Sequence, residues 1–495
     1  MNFRPLLFIA VGFILGVFSF EAYRSLTLPR EPSFAALGIL VGSALAIYFS
    51  LFRQKNPART LFLAAFLLAL LRMGVALPDN IQPVEYRMDC VVSAVSDNDP
   101  YTLTVSSVKL NGTKIRYKVR LKLKNKDVEP PKVGDRIETA AKIGEEKDEA
   151  KALTLLASGF GHTAECREYT VISNNNLPVT QALCAVRGYL KAKIKDIFED
   201  NAPMVTAFLL GDRSEMDYNE LESFRTAGIA HLLSLSGFHV GLMTGLLLMF
   251  FPKKRPKLRA LLVVVFLLLY AAITAFPPSI IRASVMFGCV MIADAAERKP
   301  DALSSISLAA LVILAISPFT LWSAGFRLSF AATLGIILIS GTGAANTGSV
   351  ILDRVFELVI VTLSASAATL LISARYFGYI STYSLFTNVI SVPFYSIAIL
   401  MSLAVLIIGF PLPFAARILS WIPDNLLNGI NFVVSKTAQL PYARINVNSP
   451  PEIAGLLMLI LIFLMSPYIL RSVKQRVRIS LPVFVLFAVS LVAGI

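Results

Sequence analysis

The sequence predicts a polytopic α-helical membrane protein with an inserted, extracytoplasmic OB-like β-barrel domain. Hydrophobic residues make up 56% of the 495 residues and charged residues only 16%, whereas soluble domains carry roughly a quarter charged residues. Uncharged apolar runs long enough to span a bilayer recur along the chain, about 11–13 in all, with some of them candidates for re-entrant elements. Residues 79–175 instead show the alternating pattern of β-strands.

The order of these patterns divides the chain into four predicted parts. Residues 1–78 form N-terminal transmembrane helices with spans near 5–20, 33–52 and 60–78. The β domain over 79–175, an interfacial linker helix over 176–210 and a second transmembrane domain over 211–495 follow. Arg53, Lys55 and Arg59 lie between the second and third spans. By the positive-inside rule the N-terminus is then cytoplasmic and the β domain lies outside.

The second transmembrane domain presents a topological conflict. If 384–409 crosses the bilayer once, residue 452 starts on the wrong side for the basic loop 471–478. Either 384–409 is two half-helices broken around Pro393, or part of 411–451 crosses or re-enters. A re-entrant element is tolerated only inside protein or beside a water-filled cavity. The spans of this domain are predicted near 229–251, 260–276, 279–295, 303–320, 324–341, 355–374, 384–409, 452–470 and 480–494.

Composition gives little support for a cofactor. The four cysteines, Cys90, Cys166, Cys184 and Cys289, contain no Cys-x-x-Cys pair, so no zinc or redox motif is indicated. No Walker-type glycine-rich loop is present. The net charge of +14 is weak evidence for a nucleic-acid partner, because loop lysines and arginines also set membrane topology. We therefore expect neither a metal nor an organic cofactor.

Two features of the β domain are specific enough to test. Asn111-Gly112 between alternating stretches is a strong hairpin signal, and the strand spacing suits a five-stranded OB-like barrel. Cys90 and Cys166 fall near the two ends of this domain. In an oxidising compartment they are a disulfide candidate, with two free buried thiols as the alternative.

A row of basic residues occupies every second position of one predicted strand. Because strand side chains alternate between faces, the row extends along one face for roughly 33 Å. One interpretation is a track for a polyanion; the alternative is a solvated edge strand, in which lysines prevent aggregation. The row consists of Lys114, Arg116, Lys118, Arg120, Lys122 and Lys124.

Residues 211–245 are rich in polar side chains and continue into a predicted membrane span. His231, Ser234, Ser236 and His239 lie where the segment has become apolar, and polar groups at that depth usually face a bundle interior or a wet cavity. In a continuous helix over 229–251, His231 and His239 are about 12 Å apart along the axis. That separation is too large for both imidazoles to bind one metal ion.

Three roles for these polar residues remain open. Ser234 is three positions from His231, close enough to share a helix face and form a Ser-His hydrolase pair. A hydrolase also needs an orienting carboxylate, and Asp212, Glu220 and Glu222 are the only nearby acids. Hydrogen bonding between helices is the second role, and the polar lining of a conduit is the third. We favour the lining.

Arginines in or beside apolar segments form a second set of candidates. Arg282, Arg327 and Arg375 are such residues, and arginines at these sites pair with acids, snorkel or line an anion path. Arg282 follows Pro277-Pro278-Ser279 near a helix start, where free N–H groups favour an anion. Acids are scarce in this region, which makes an anionic ligand attractive.

Five stretches match the motifs of a known family: GDRS at 211–214, FRTAGIAHLLSLSGFHVGL at 224–242, PPSIIRASVM at 277–286, GFRLSFAATLGI at 325–336 and, more weakly, FTNVISVPF at 386–394. In these stretches the chain resembles the ComEC family of bacterial DNA-uptake channels. The resemblance implies that residues 211–495 form a competence-type channel domain. The residues that it marks as motif or channel-lining positions are Gly211, Asp212, Arg213, Phe224, Arg225, Gly228, His231, Ser234, Ser236, Gly237, His239, Arg282, Arg327 and Asn388.

The family implies passage of one DNA strand across the bacterial cytoplasmic membrane during natural transformation. Expected partners are single-stranded DNA, membrane lipids, other uptake proteins, a separate nuclease and further copies of this chain. Many family members end in a metallo-β-lactamase-like domain, but no His-x-His-x-Asp-His string occurs here, so we expect no enzyme. The family also often has glutamine where Arg327 stands. The alternatives are a transporter or scaffold for another anionic substrate or partner, and an intramembrane hydrolase.

Overall fold

The computed structural model describes residues 4–26, 57–76, 81–95, 101–125, 130–144, 149–174, 178–251, 255–339 and 349–447, with 458, 459, 461, 462, 480 and 484. The predicted span near 33–52, and most of those near 452–470 and 480–494, lie outside these residues. The chain forms two compact units. One unit comprises Asn2–Gly188 with Ser304–Ser323, and the other comprises Tyr189–Leu303 with Ala324–Ile495.

The first unit begins with two apolar helices, α1 (Pro5–Leu26) and α2 (Pro57–Ala76). They pack closely because glycines of α1 lie against the backbone of α2. A Cβ atom at Gly12 or Gly16 would collide with the carbonyl oxygen of Phe62 or Phe66, respectively. Small residues of this kind allow two helix backbones to approach.

The β domain of this unit contains a closed ring of five strands. Its strands are β1 (Glu85–Val95), β2 (Thr102–Leu110), β3 (Thr113–Lys114), β4 (Lys118–Leu123), β5 (Asp135–Gly144), β6 (Phe160–Cys166) and β7 (Thr170–Asn174), with α3 (Glu149–Ala157) between β5 and β6. The ring order is β1-β2-β4-β6-β5, closed by the β1–β5 pairing, and only β4 and β6 pair in parallel. Asn111 and Gly112 have φ values of 49° and 86° between β2 and β3, so the predicted hairpin turn is present.

Both cysteines of the β domain lie in the interior of the barrel. Cys90 and Cys166 are buried free thiols within the same apolar cluster. Burial raises the pKa of Cys90 to about 12, and it also raises the pKa of Cys166. The disulfide stays a prediction, and in the reduced state Cys90 is an unreactive thiol.

The second unit is mainly helical. Its large buried cluster includes Phe208, Phe224 and Tyr395. The helices are α4 (Pro178–Phe198), α5 (Ala202–Leu210), α6 (Tyr218–Thr226), α7 (Gly237–Met249), α8 (Pro256–Ile273), α9 (Pro278–Ala295), α10 (Ala302–Ile316), α11 (Ala324–Ile339), α12 (Val350–Phe377), α13 (Ser384–Gly409), α14 (Pro413–Leu419) and α15 (Trp421–Ala438). The first residues of α4 and most of α10 belong to the first unit. A short antiparallel pair joins β8 (Tyr379–Ser381) to β9 (Arg444–Asn446).

Among the described residues, four helices are long and apolar enough to cross a membrane: Pro256–Ile273, Pro278–Ala295, Leu352–Phe377 and Ser384–Gly409. The last of these is continuous and contains Pro393 in its interior. The predicted break at Pro393 is therefore wrong. The other solution of the topological conflict, a crossing or re-entrant element within 411–451, remains a prediction, and α14 and α15 lie in that stretch.

We expect Cys90 and Cys166 to resist iodoacetamide in the folded protein at mildly alkaline pH, because alkylation needs an accessible thiolate. The exposed Cys184 is the matched control and should be labelled. Mass spectrometry of tryptic peptides measures the labelled fraction. Alkylation after denaturation, with and without reductant, then shows whether the two barrel cysteines are bonded. Labelling of folded Cys90 as fast as Cys184 would contradict its burial.

Candidate functional site

Residues 227–236 are not helical, which corrects the expectation of one helix over 229–251. The chain leaves α6 at Thr226, forms successive turns and begins α7 only at Gly237. Gly228 has φ +79°, and a Cβ atom there would lie 2.7 Å from Ser381 Oγ. The 12 Å axial separation of His231 and His239 therefore does not apply. Among the described residues, no group of three or more His, Cys, Asp or Glu side chains is placed to bind a metal ion.

Residues 227–236 are called the broken segment below. Several of its main-chain carbonyls, and that of the preceding Thr226, accept hydrogen bonds from side chains. Turns pair only some of these carbonyls with backbone N–H groups, such as His231 O with the Ser234 N–H at 3.3 Å, and leaving the others unpaired in an apolar interior is costly. Four of the donors come from other parts of the chain. The pairs are Ser381 Oγ to Thr226 O at 2.7 Å, Ser234 Oγ to His231 O at 2.8 Å, Tyr395 Oη to Leu232 O at 2.7 Å, Arg213 Nε to Leu233 O at 3.1 Å and Ser279 Oγ to Leu235 O at 2.7 Å.

His239 is fully buried and interacts with the residue that starts α7. Its Nδ1 lies 3.3 Å from the Ser236 N–H and 2.9 Å from Ser236 Oγ. Because a backbone N–H only donates, Nδ1 is the acceptor, and the ring is neutral with its proton on Nε2. The ring also meets Tyr395 edge-on, with centroids 6.2 Å apart. His239 thus holds the first turn of α7 in place.

Neither Ser234 nor Ser236 hydrogen-bonds the His231 imidazole in the structure, as the hydrolase alternative requires. Ser234 donates to the carbonyl of His231, and the His231 side chain is exposed. Ser236 bonds His239, but through an imidazole whose acceptor nitrogen also takes the Ser236 N–H. These contacts favour a structural and lining role over nucleophilic catalysis.

The Gly-Asp-Arg-Ser turn supports the broken segment from one side. Gly211 ends α5 with φ +77°, and a Cβ atom there would lie 2.6 Å from Leu235 Cδ1. Asp212 is buried and accepts from the Ser214 N–H at 3.0 Å and the Ser214 hydroxyl at 2.7 Å. It also forms an ion pair with Lys191. The adjacent Arg213 can then reach the carbonyl of Leu233.

The other motif residues are more dispersed. Phe224 is buried in the core of the second unit. Arg225 pairs with Glu222 at 3.3 Å, and Glu222 also binds Arg444 at 2.5 Å. Asn388 is buried and donates to Ser384 O at 2.7 Å within α13. Arg327 is half-buried on α11.

Arg282 and Gly237 meet where α9 passes the start of α7. Arg282 is only 8% exposed. Its Nη2 lies 2.9 Å from the position that a Cβ atom of Gly237 would occupy. The structure therefore brings together Ser236, Gly237, His239 and Arg282, which are 46 or fewer positions apart in the sequence.

The basic row of the barrel is partly as predicted. From Lys114 to Lys124 the basic residues are exposed, and the residues between them are buried or half-buried. The row is not one strand, because residues 115–117 separate β3 from β4, so the estimated length of one straight strand is wrong. Arg116 turns to donate to Val75 O at 3.3 Å. Lys118, Arg120 and Lys122 remain on β4.

The alternative of an edge strand is excluded. β4 pairs with β2 on one side and β6 on the other, so lysines are not needed there to protect a free edge. The guanidinium of Arg120 lies 4.5 Å from the centre of the Phe160 ring, and Lys124 pairs with Glu165 at 2.6 Å. An aromatic ring beside exposed cations is an arrangement that binds single-stranded nucleic acid.

Sequence reasoning missed Tyr395, Ser279, Ser381 and Phe160. The first three are isolated polar residues in or beside apolar helices, which is a weak signal without the partner. Phe160 follows a Gly-containing turn and shows no periodic feature. Each becomes recognisable only through its contact.

We expect Tyr395→Phe to destabilise the folded protein by about 1–3 kcal/mol, because Leu232 O would lose its buried donor. Tyr383→Phe is the matched control, since Tyr383 Oη donates to Pro441 O at 3.1 Å in an exposed position that water can reach. The unfolding midpoint in detergent measures both. Equal shifts of the unfolding midpoint in the two variants would contradict the inference that the broken segment needs side-chain donors more than an exposed carbonyl does.

Comparisons with known proteins match the region that contains this site. The profile of the family described as "Competence protein" matches residues 208–472. ComE operon protein 3 of Bacillus subtilis (strain 168) is 30% identical over 281 residues, which is 56% of this chain and 35% of that protein. The chain thus spans about a third of the length of this curated relative. No solved structure matches. Because the family profile covers 208–472, more than half of the 495 residues, the chain belongs to the competence protein family.

Proposed function

We propose that this protein is a polytopic protein of the bacterial cytoplasmic membrane that passes one strand of DNA into the cell during natural transformation. Membership of the competence protein family supports a role in DNA uptake. The observation that carries the channel proposal is the broken segment, residues 227–236, which connects to apolar helices yet is built from turns. At membrane depth, irregular backbone is tolerated only where it is buried in protein or lines a water-filled cavity.

The length of α7 supports this position of the broken segment. Its 13 residues extend about 20 Å, whereas the hydrocarbon core of a bilayer is about 30 Å thick. The helix alone does not cross, so the turns before it would lie inside the membrane. A helix that begins partway through the bilayer is a recurring feature of substrate sites in transporters.

The proposed orientation follows from loop charge. Arg255 precedes α8, and Lys257 and Arg259 lie in its first turn; together they are the described part of a basic stretch that follows α7, which favours the cytoplasmic side. The β domain would then face outward, with the N-terminus inside. Its strand order, including the parallel pairing of β4 with β6, supports an OB-type barrel.

The barrel would receive DNA before the channel does. Lys118, Arg120 and Lys122 present cations for phosphates, and Phe160 presents a ring for base stacking. Other uptake proteins, a separate nuclease and further copies of the chain are the proposed partners. A transporter or scaffold with another anionic ligand is the competing function.

Uptake of labelled DNA by a deletion strain tests the proposal. We expect surface binding of double-stranded DNA to persist while nuclease-protected, intracellular label falls to background, and the wild-type gene should restore it. Normal internalisation in the deletion strain would instead favour the competing transporter or scaffold function.

The basic row makes a separate prediction for binding. Replacing Lys118, Arg120 and Lys122 by alanine should weaken binding of single-stranded DNA and lower the slope of log K against log salt by roughly 2, at about 0.7 per phosphate contact. The matched control removes the same charge from the exposed barrel residues Lys109, Lys132 and Lys142. Titration of the full chain in nanodiscs measures both. An equal loss of DNA binding in the control variant would show that the basic row acts only through the general positive charge of the barrel.

A further inference from the structure

Arg282 is a buried cation at the start of a helix. It lies in the second turn of α9, and its guanidinium reaches Gly237, the first residue of α7. Only a glycine leaves room for this approach, since Nη2 is 2.9 Å from where a Cβ atom would be. The side chain is 8% exposed. Its position is therefore set by packing, and it cannot extend freely to solvent.

Within the part of the chain that the structure describes, this guanidinium lacks a negative partner. Arg282 Nε is buried and has no hydrogen-bond acceptor, and no carboxylate among the described residues lies close enough to pair with the guanidinium. A buried charge without a partner is strongly unfavourable, and natural proteins normally pair it. The arrangement is that of a cation whose counter-ion comes from outside the polypeptide.

The surroundings of Arg282 add further positive potential. The N–H groups of Gly237 and Phe238 belong to the first turn of α7, where donors have no partner within the helix. α9 begins nearby at Pro278, and Ser279 Oγ joins the two helix starts by its 2.7 Å bond to Leu235 O. Two helix N-termini and a guanidinium therefore converge, and each favours an anion.

We propose that the Arg282 guanidinium and the first N–H groups of α7 bind a phosphate group. The planar guanidinium takes two phosphate oxygens at once, and the helix N–H groups take a third. A tetrahedral anion suits donors that converge from two helices better than a planar carboxylate does. The identity of the ligand rests on the proposed function, in which it is a phosphodiester of the translocating strand; a lipid headgroup offers the same chemistry.

A single site of this kind also fits transport. A conduit needs binding that is favourable enough for entry and weak enough for release. One arginine and one helix N-terminus form a binding site for a single phosphate, so the strand as a whole is not held tightly. Successive phosphodiesters could then occupy the same position in turn.

Thermal unfolding and oligonucleotide binding of the purified full chain test the site. In neutral-lipid nanodiscs, inorganic phosphate should raise the wild-type unfolding temperature above that in sodium chloride of equal ionic strength, since a ligand of the folded state stabilises it. Arg282→Met should lose this shift. Without phosphate it should unfold at or above the wild-type temperature, because an unpaired buried cation has been removed.

The oligonucleotide comparison isolates the phosphodiester. Wild-type protein should bind a thymidine oligonucleotide at least about 10-fold more tightly than Arg282→Met does. A neutral methylphosphonate oligonucleotide of the same length should bind both equally. Arg282→Lys, which keeps the charge without the fork, should fall between them. Gly237→Ala, which displaces the guanidinium and retains its charge, should also weaken binding of the phosphodiester.

Four outcomes decide between the explanations. Equal phosphate shifts in wild type and Arg282→Met would overturn the site. If Arg282→Met does not fold, the same phosphate response in Arg282→Lys, Gly237→Ala and wild type would overturn it. Stabilisation by phosphatidylglycerol with no discrimination between the two oligonucleotides would support the phosphate site but assign it to a lipid. Normal DNA uptake by an Arg282→Met strain, with uptake lost in the deletion strain, would remove the DNA assignment and leave the proposed function standing.

Discussion

Hydrogen bonding of the carbonyls in and beside residues 227–236 is the constraint on which the rest of the second unit depends. A helix pairs most of its own backbone groups, but a run of turns pairs only some of them. The chain meets this requirement with side-chain donors from the Gly-Asp-Arg-Ser turn, α9, β8 and α13. These bonds hold four separate parts of the chain against one short segment, so that its geometry is determined by its neighbours.

The same constraint explains the glycines and polar residues of the region. Gly211 begins the loop that leads into α6, and Gly228 follows the end of α6. Both adopt positive φ, and at both positions a Cβ atom would collide with a neighbouring side chain. His239 fixes the start of α7 through Ser236. The contacts of these residues therefore fix where α7 begins. The first turn of a helix has consequences for ligands, because its N–H groups and partial positive charge attract anions.

In the barrel, a different constraint determines where charged residues can lie. Its core requires alternate residues to face inward, and the outward positions of β4 are then free to carry charge. β4 lies between β2 and β6 in the ring, so both of its edges are paired. Arg120 can consequently rest on Phe160 of a neighbouring strand, which keeps part of a flexible side chain in place without removing its charge.

The sequence by itself determined the features that depend on local patterns. The apolar runs located most helices of the described regions, the alternation in 114–124 assigned faces to side chains, and Asn111-Gly112 located a hairpin. Only the tertiary structure decided where α7 begins, that α13 continues through Pro393, and that Tyr395 bonds Leu232 across a separation of 163 positions. Periodicity reports which way a side chain points along its own element. It contains no information about which distant carbonyl, ring or helix start that side chain will meet, because such pairings arise only when the elements pack.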